Sequence, residues 1–256
     1  MFGILFKYAF REFCRLRRVV PWLAITVFLC LITFVWKRID PRTTPDQIFS
    51  QIQLMLSYRV LALSAAVFST AVIAQEVEQR TIVYLLTRPI PRHWIVLARS
   101  LASALTVWIL SAITATAVGI VAFGPSFLIK PAYVGDLLVF GVGALAYGAL
   151  FVMFSLWFNR ALIVCLMFAF GWETAVPNMP GDPSYMSIFS YLTSISAHPV
   201  RKGARGFMDI LAGQVGGTEI GIATAWVVLL SLIGGLSLLA AWWFTRFEYV
   251  PREDAE

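Results

Sequence analysis

Charge is what this chain has least of. Charged residues fill 13% of its 256 positions, about half the share of an average soluble domain, and that excludes an ordinary water-facing surface. Histidine occurs only as His93 and His198, both outside the long apolar runs. A bis-histidine haem in a helix bundle and a Ser–His intramembrane protease are therefore disfavoured. Cysteine occurs three times, as Cys14, Cys30 and Cys165, with no Cys-x-x-Cys and no metal-ligand spacing; neither a disulfide framework nor a metal site is expected. No G-x-x-x-x-G-K-[ST] occurs, so the chain has no P-loop of its own. Acids at mid-membrane depth are missing as well. Arg59, Asp136 and Glu173 fall near the ends of apolar runs, where snorkelling to water is expected to be cheap. An ion relay wants acids at depth, so ion-coupled transport is disfavoured and energy for any movement has to come from elsewhere.

What is present is apolar sequence. Hydrophobic residues supply 59% of the chain, and its mean hydropathy is +0.79. A hydrocarbon core of about 30 Å asks for about 20 apolar residues per helix. Six runs qualify: Val19 to Trp36, Gln53 to Ala74, Trp94 to Phe123, Val134 to Phe158, Ala161 to Val176, and Ile220 to Phe244. The fifth is the shortest and ends in Trp172-Glu173. No run has the dyad alternation of a transmembrane barrel. The expected fold is an all-α integral membrane protein with six transmembrane helices in a single domain over 1–256. Val19 to Trp36 ends in Trp-Lys-Arg rather than at a small-residue cleavage site, so it is read as a retained first span.

The net charge is +6, and the basic residues gather at membrane boundaries. Lys7, Arg11, Arg15, Arg17, Arg18, Arg80, Arg88, Arg92, Arg99, Arg160, Arg246 and Arg252 fall on one side. Lys37, Arg38, Arg42, Lys130, Arg201, Lys202 and Arg205 fall on the other. The excess places both termini in the cytoplasm. Such residues meet anionic headgroups, and with no basic face free of the bilayer, nucleic acid is not an expected partner.

Two segments outside the runs have patterns of their own. In residues 1–18, Phe2, Leu5, Phe6, Ala9, Phe10, Phe13 and Leu16 fall on one helical side, opposite Lys7, Arg11, Arg15 and Arg18 with Glu12. That segregation predicts a helix lying in the membrane interface, with Phe6, Phe10, Phe13, Arg11 and Arg15 as its contact residues. Pro21 is then expected to open the next helix. The loop 177–219 is too long for a plain connector. Its apolar Met186, Ile188, Phe189, Tyr191, Leu192 and Ile195 predict short helices on the outer leaflet, or equally a small extracellular cap. Small residues four apart, at Ser111, Ala115 and Gly119, at Ala144 and Gly148, and at Ser231 and Gly235, suggest close packing between helices of the chain. Thr106, Thr114, Thr116, Ser155 and Thr224 either line a passage or bond to their own helices.

The segment 75–93 is the most specific. It carries two acids (Glu76 and Glu78), then Thr81 as a cap, an apolar stripe of Ile82, Val83, Leu85 and Leu86, and the close Arg88-Pro89-Ile90-Pro91-Arg92. The prolines end it rigidly. This reads as a short cytoplasmic helix between spans two and three, displayed for a partner to grip.

The pattern Ile73-Ala74-x-Glu76-x-x-x-x-Thr81-Ile82-x-x-Leu85-Leu86-x-x-Pro89-Ile90-x-Arg92-x-x-Ile95-x-Leu97-x-Arg99 resembles the signature of type-2 ATP-binding-cassette transporter permeases. Arg80 departs from it where the family often has glycine, and Arg99 where it usually has lysine. The resemblance implies that 75–93 is a coupling helix that enters a groove on an ATPase subunit, with Glu76, Glu78, Thr81, Ile82, Leu85, Leu86, Arg88, Pro89 and Arg92 at the contact. It also implies two P-loop ATPase chains carrying ATP and Mg, a second permease chain in a homodimer, and export across a bacterial cytoplasmic (inner) membrane. An accessory extracytoplasmic protein is a further partner open to it. No cofactor or catalytic residue is expected on this chain. The apolar bundle with scattered hydroxyls suits lipids, hydrophobic natural products or peptides as cargo. The readings set against this one are a membrane anchor or assembly protein and, from another class, an intramembrane enzyme.

Overall fold

The structure, a computed structural model, describes residues 2–40, 43–54, 58–78, 91–125, 127, 131–179, 182–196, 198 and 220–246. Among them every regular element is helical. The first helix, α1 (Phe2–Phe13), is amphipathic. Ala9 and Phe13 are fully buried, Phe6 and Phe10 are half-buried, and Arg11 and Arg15 are exposed. The apolar side of α1 is therefore covered at least in part by protein. The chain turns at Cys14-Arg15, where Arg15 is extended and its carbonyl accepts the N–H groups of Arg18 and Val19. That opens α2 (Leu16–Ile39) ahead of Pro21, which lies inside the helix instead of starting it. Leu16, expected on the leader's apolar side, is 77% exposed at the start of α2. The correction has a simple cause: the extended Arg15 supplies the first acceptor, so the helix needs no proline to begin.

Along α2 only Trp22, Thr26, Leu29 and Thr33 are buried, a single stripe one turn apart that seats on a neighbour while the rest faces outward. Thr44 caps α3 (Pro45–Ile52), accepting the N–H of Gln47, with Pro45 in the first turn, where its missing N–H costs nothing. Then come α4 (Tyr58–Glu78), α5 (Arg92–Phe123) and α6 (Pro131–Trp157). The next element, α7 (Ala161–Asn178), contains a π-helical turn at Phe168–Trp172 and closes in a 3₁₀ turn. A further 3₁₀ turn (Asp182–Met186), α8 (Ile188–Ile195) and α9 (Ile222–Arg246) complete the described elements.

Five of these helices, α2, α5, α6, α7 and α9, are long and apolar enough to cross a membrane. Within the expected second span, Gln53 to Ala74, the described apolar helix is Tyr58–Val72 of α4, shorter than the other five. At the other end, α5 has 32 residues and runs for about 48 Å, well past a hydrocarbon core of about 30 Å. That excess gives α1 a helix to lie against. The packing centres on α5 and α6, with α4 against both, α2 and α1 on α5, and α9 on α6.

Close packing explains most of the small residues. A Cβ on Gly119 would come within 2.1 Å of the Phe127 ring, which is wedged among Phe49, Phe123 and Tyr133. Gly148 lets Ala104 approach to contact distance. Ser231 and Gly235 on α9 are exposed instead, so that set packs no described helix of the same chain. The hydroxyls mostly serve their own helices: Thr106, Thr116 and Ser155 donate to carbonyls three or four residues back. Thr114 does the same and also meets Thr26 of α2 at 2.8 Å.

Candidate functional site

The segment 75–93, expected to couple to a partner, is described only at its edges. Helical backbone runs through Glu76 and Glu78 at the end of α4 and resumes at Arg92, the first residue of α5. Thr81, Ile82, Leu85, Leu86, Arg88 and Pro89 lie outside the described residues. What lies inside them is the anchorage of the two helices that flank the segment. Arg99, two turns into α5 and 5% exposed, donates from Nε to the carbonyl of Val72 on α4 at 3.0 Å. Its Nη2 lies 3.5 Å from Glu12 of α1, and the other Glu12 oxygen lies 3.7 Å from Arg18 of α2. Both guanidinium groups sit near the Phe13 ring, at 5.7 and 5.9 Å. One buried arginine thus ties α1, α4 and α5 together. Burial of this kind is tolerated because each charge is paired or hydrogen-bonded. It also explains why Phe13 is buried: Phe13 is the apolar floor of a charge cluster.

At the opposite end of the bundle Asp136 and Glu173 are buried in protein, which corrects the snorkelling expectation for these two, while Arg59 is half-buried. Glu173 is completely buried. Its carboxylate accepts the Ser187 hydroxyl at 2.6 Å and the N–H groups of Ile188 and Phe189 at 3.1 and 3.0 Å. A carboxylate there answers the unpaired donors and the positive end of α8. Ser187 itself accepts the N–H of Ser190. Arg59 of α4 donates to the main-chain carbonyl of Glu173 and lies 4.4 Å from the Phe189 ring. The apolar patch of the 177–219 loop therefore faces protein in α8, where Ile188, Phe189, Tyr191 and Leu192 are buried, while Met186 is 69% exposed. The Tyr191 hydroxyl donates to the Tyr185 carbonyl at 2.7 Å, and burial pushes its phenol above the ordinary value.

Asp136, near the start of α6, is 1% exposed and 2.7 Å from Nε2 of the buried His198. The contact was not foreseeable from local pattern, since the partners stand 62 positions apart. A lone acid inside an apolar run was the available signal, because an ionisable residue there marks function by default. Among the described residues no grouping of His, Cys, Asp and Glu has the makings of a metal site. Cys14, Cys30 and Cys165 are free thiols.

The arrangement can transmit force. Two long helices leave the segment 75–93, are locked to each other by Arg99, and reach the far end where buried charges hold the loop helices in place. A family model described as ABC-2 family transporter protein matches residues 11–173, from the end of α1 to Glu173. No curated protein matches the chain. Because that match covers well over half of the chain and runs through four of the five helices able to cross a membrane, this integral membrane protein belongs to the ABC-2 family of transporter proteins.

Proposed function

We infer that the chain is the permease subunit of an ATP-driven exporter, working as a homodimer with two copies of a P-loop ATPase. The observation that carries the reading is Arg99, which joins the leader helix to both helices bordering the segment 75–93. In this reading the ATPase grips Ile82, Leu85 and Leu86 on the cytoplasmic side, where both termini lie. Glu76, Glu78, Arg88 and Arg92 supply charged contacts, while Thr81 and Pro89 fix the ends of the coupling helix. Closure of the ATPases on ATP and Mg pushes that helix. The push enters α4 and α5 together because Arg99 prevents one from sliding past the other. Six crossings require α4 to count as a span, and its 21 residues cover about 31 Å. ATP hydrolysis belongs to the partner, and this chain supplies the passage in the bacterial inner membrane.

The test is recovery of the partner. Mild detergent extraction of the tagged full chain, followed by mass spectrometry, is expected to yield a P-loop ATPase in equal proportion. Recovery of a catalytic enzyme subunit with no ATPase would favour a membrane anchor on the same scaffold.

A further inference from the structure

We propose that Ser50, His198 and Asp136 form a latch that closes the α3 end of the bundle and has to part before that end opens. His198 bridges three separate parts of the chain. Its Nε2 is 2.7 Å from Asp136 on α6, its Nδ1 is 3.2 Å from the Ser50 hydroxyl on α3, and its ring meets Phe49 edge-on at 5.4 Å. With Nε2–H donating to the carboxylate, Nδ1 accepts from Ser50 when the ring is neutral. The histidine–aspartate contact is short and buried, which strengthens it, and the serine contact is part-buried. His198 follows α8 closely, and α8 is pinned at its start by Glu173. The loop is thus fixed at two places, once to α7 through Glu173 and once to α3 and α6 through His198.

The site has capacity to spare. The second Asp136 oxygen and both polar atoms of Gln53 are buried with no hydrogen-bond partner among the described residues. Gln53 is one turn on from Ser50, on the same face of the chain as it leaves α3. Buried polar groups left unanswered are costly, and they give Asp136 and His198 other partners to exchange with when the loop shifts. A serine, a histidine and an aspartate in one chain of bonds also invite a nucleophilic reading. Acyl transfer needs donors aimed at a developing oxyanion, and the N–H groups around Ser50 belong to a helix whose bonds continue past it. A latch uses the bonds as they stand.

The opening role rests on the permease reading, but its test does not. Hydrogen–deuterium exchange is measured on the purified full chain as wild type, Asp136→Asn, His198→Gln and the double variant. Each single change is expected to speed exchange in Pro45–Ile52 about tenfold, the effect of losing one buried hydrogen bond. The double variant should be no faster than either single, while Ala161–Asn178 keeps its protection. Wild-type exchange in both singles, additive effects in the double, or a general loss of protection would overturn the latch. Capture of Ser50 by a fluorophosphonate probe would also overturn it, in favour of a nucleophile. The readout needs neither ATPase nor cargo, so a failed latch leaves the permease reading standing, and a missing ATPase leaves the latch standing.

Discussion

Glu173 carries more of the structure than any other ionisable side chain at the α3 end. Its carboxylate accepts one hydroxyl and two backbone N–H groups at the start of α8. Glu173→Ala leaves those three donors buried without an acceptor, which is expected to cost about 3 kcal/mol. Glu173→Gln keeps one acceptor oxygen and should cost roughly half of that. Thermal unfolding in detergent, followed with a thiol-reactive dye, reads both. Cys165 is buried and reports opening of α7, while the exposed Cys14 sets the starting signal. An unchanged midpoint in Glu173→Ala would contradict the clamp. The sequence marks Glu173 only as an acid ending a short apolar run. It does not reveal the partners, because Ser187, Ile188 and Phe189 stand 14 to 16 positions further on.

Among the elements, α1 shows what periodicity conveys and what it omits. The spacing of Phe6, Phe10 and Phe13 against Lys7 and Arg11 is enough to predict an amphipathic helix. It does not tell a lipid surface from a protein one, since both reward the same apolar stripe. The structure distinguishes the three rings: Phe13 is fully buried, whereas Phe6 and Phe10 are half-buried and stacked on each other at 6.2 Å. Phe13→Ala should therefore cost about 3–5 kcal/mol and release α1, and the Phe6 and Phe10 changes should each do less. The rate of tryptic cleavage at Arg15 and Arg17 measures that release. Equal rates for all three single variants would return α1 to a simple interfacial role. The start of α2 was misjudged from Pro21 for a related reason. A proline permits a helix start without compelling one, and the extended Arg15 already provides it.

At the scale of the whole molecule, the six crossings of the proposed reading put α1, the segment 75–93 and the end of α9 on one face of the membrane. That expectation comes from the sequence, where apolar runs and boundary charges are dictated by the bilayer itself. The topology predicts that Met186→Cys, exposed at the α3 end, reacts with an impermeant maleimide in intact cells. Native Cys14 at the α1 end should react only after lysis. The reverse pattern would put the segment 75–93 outside the cell, where no ATPase could reach it.

The central claim is that a partner ATPase drives this chain through that segment. Its most direct test measures recovery of the ATPase subunit and ATPase activity of the complex reconstituted in liposomes, for wild type and for Leu85→Ala with Leu86→Ala. Losing buried interface anchors costs about 2 kcal/mol or more, so the double variant is predicted to recover far less ATPase subunit and to lose the activity that depends on the complex. Wild-type recovery together with wild-type activity would contradict the account.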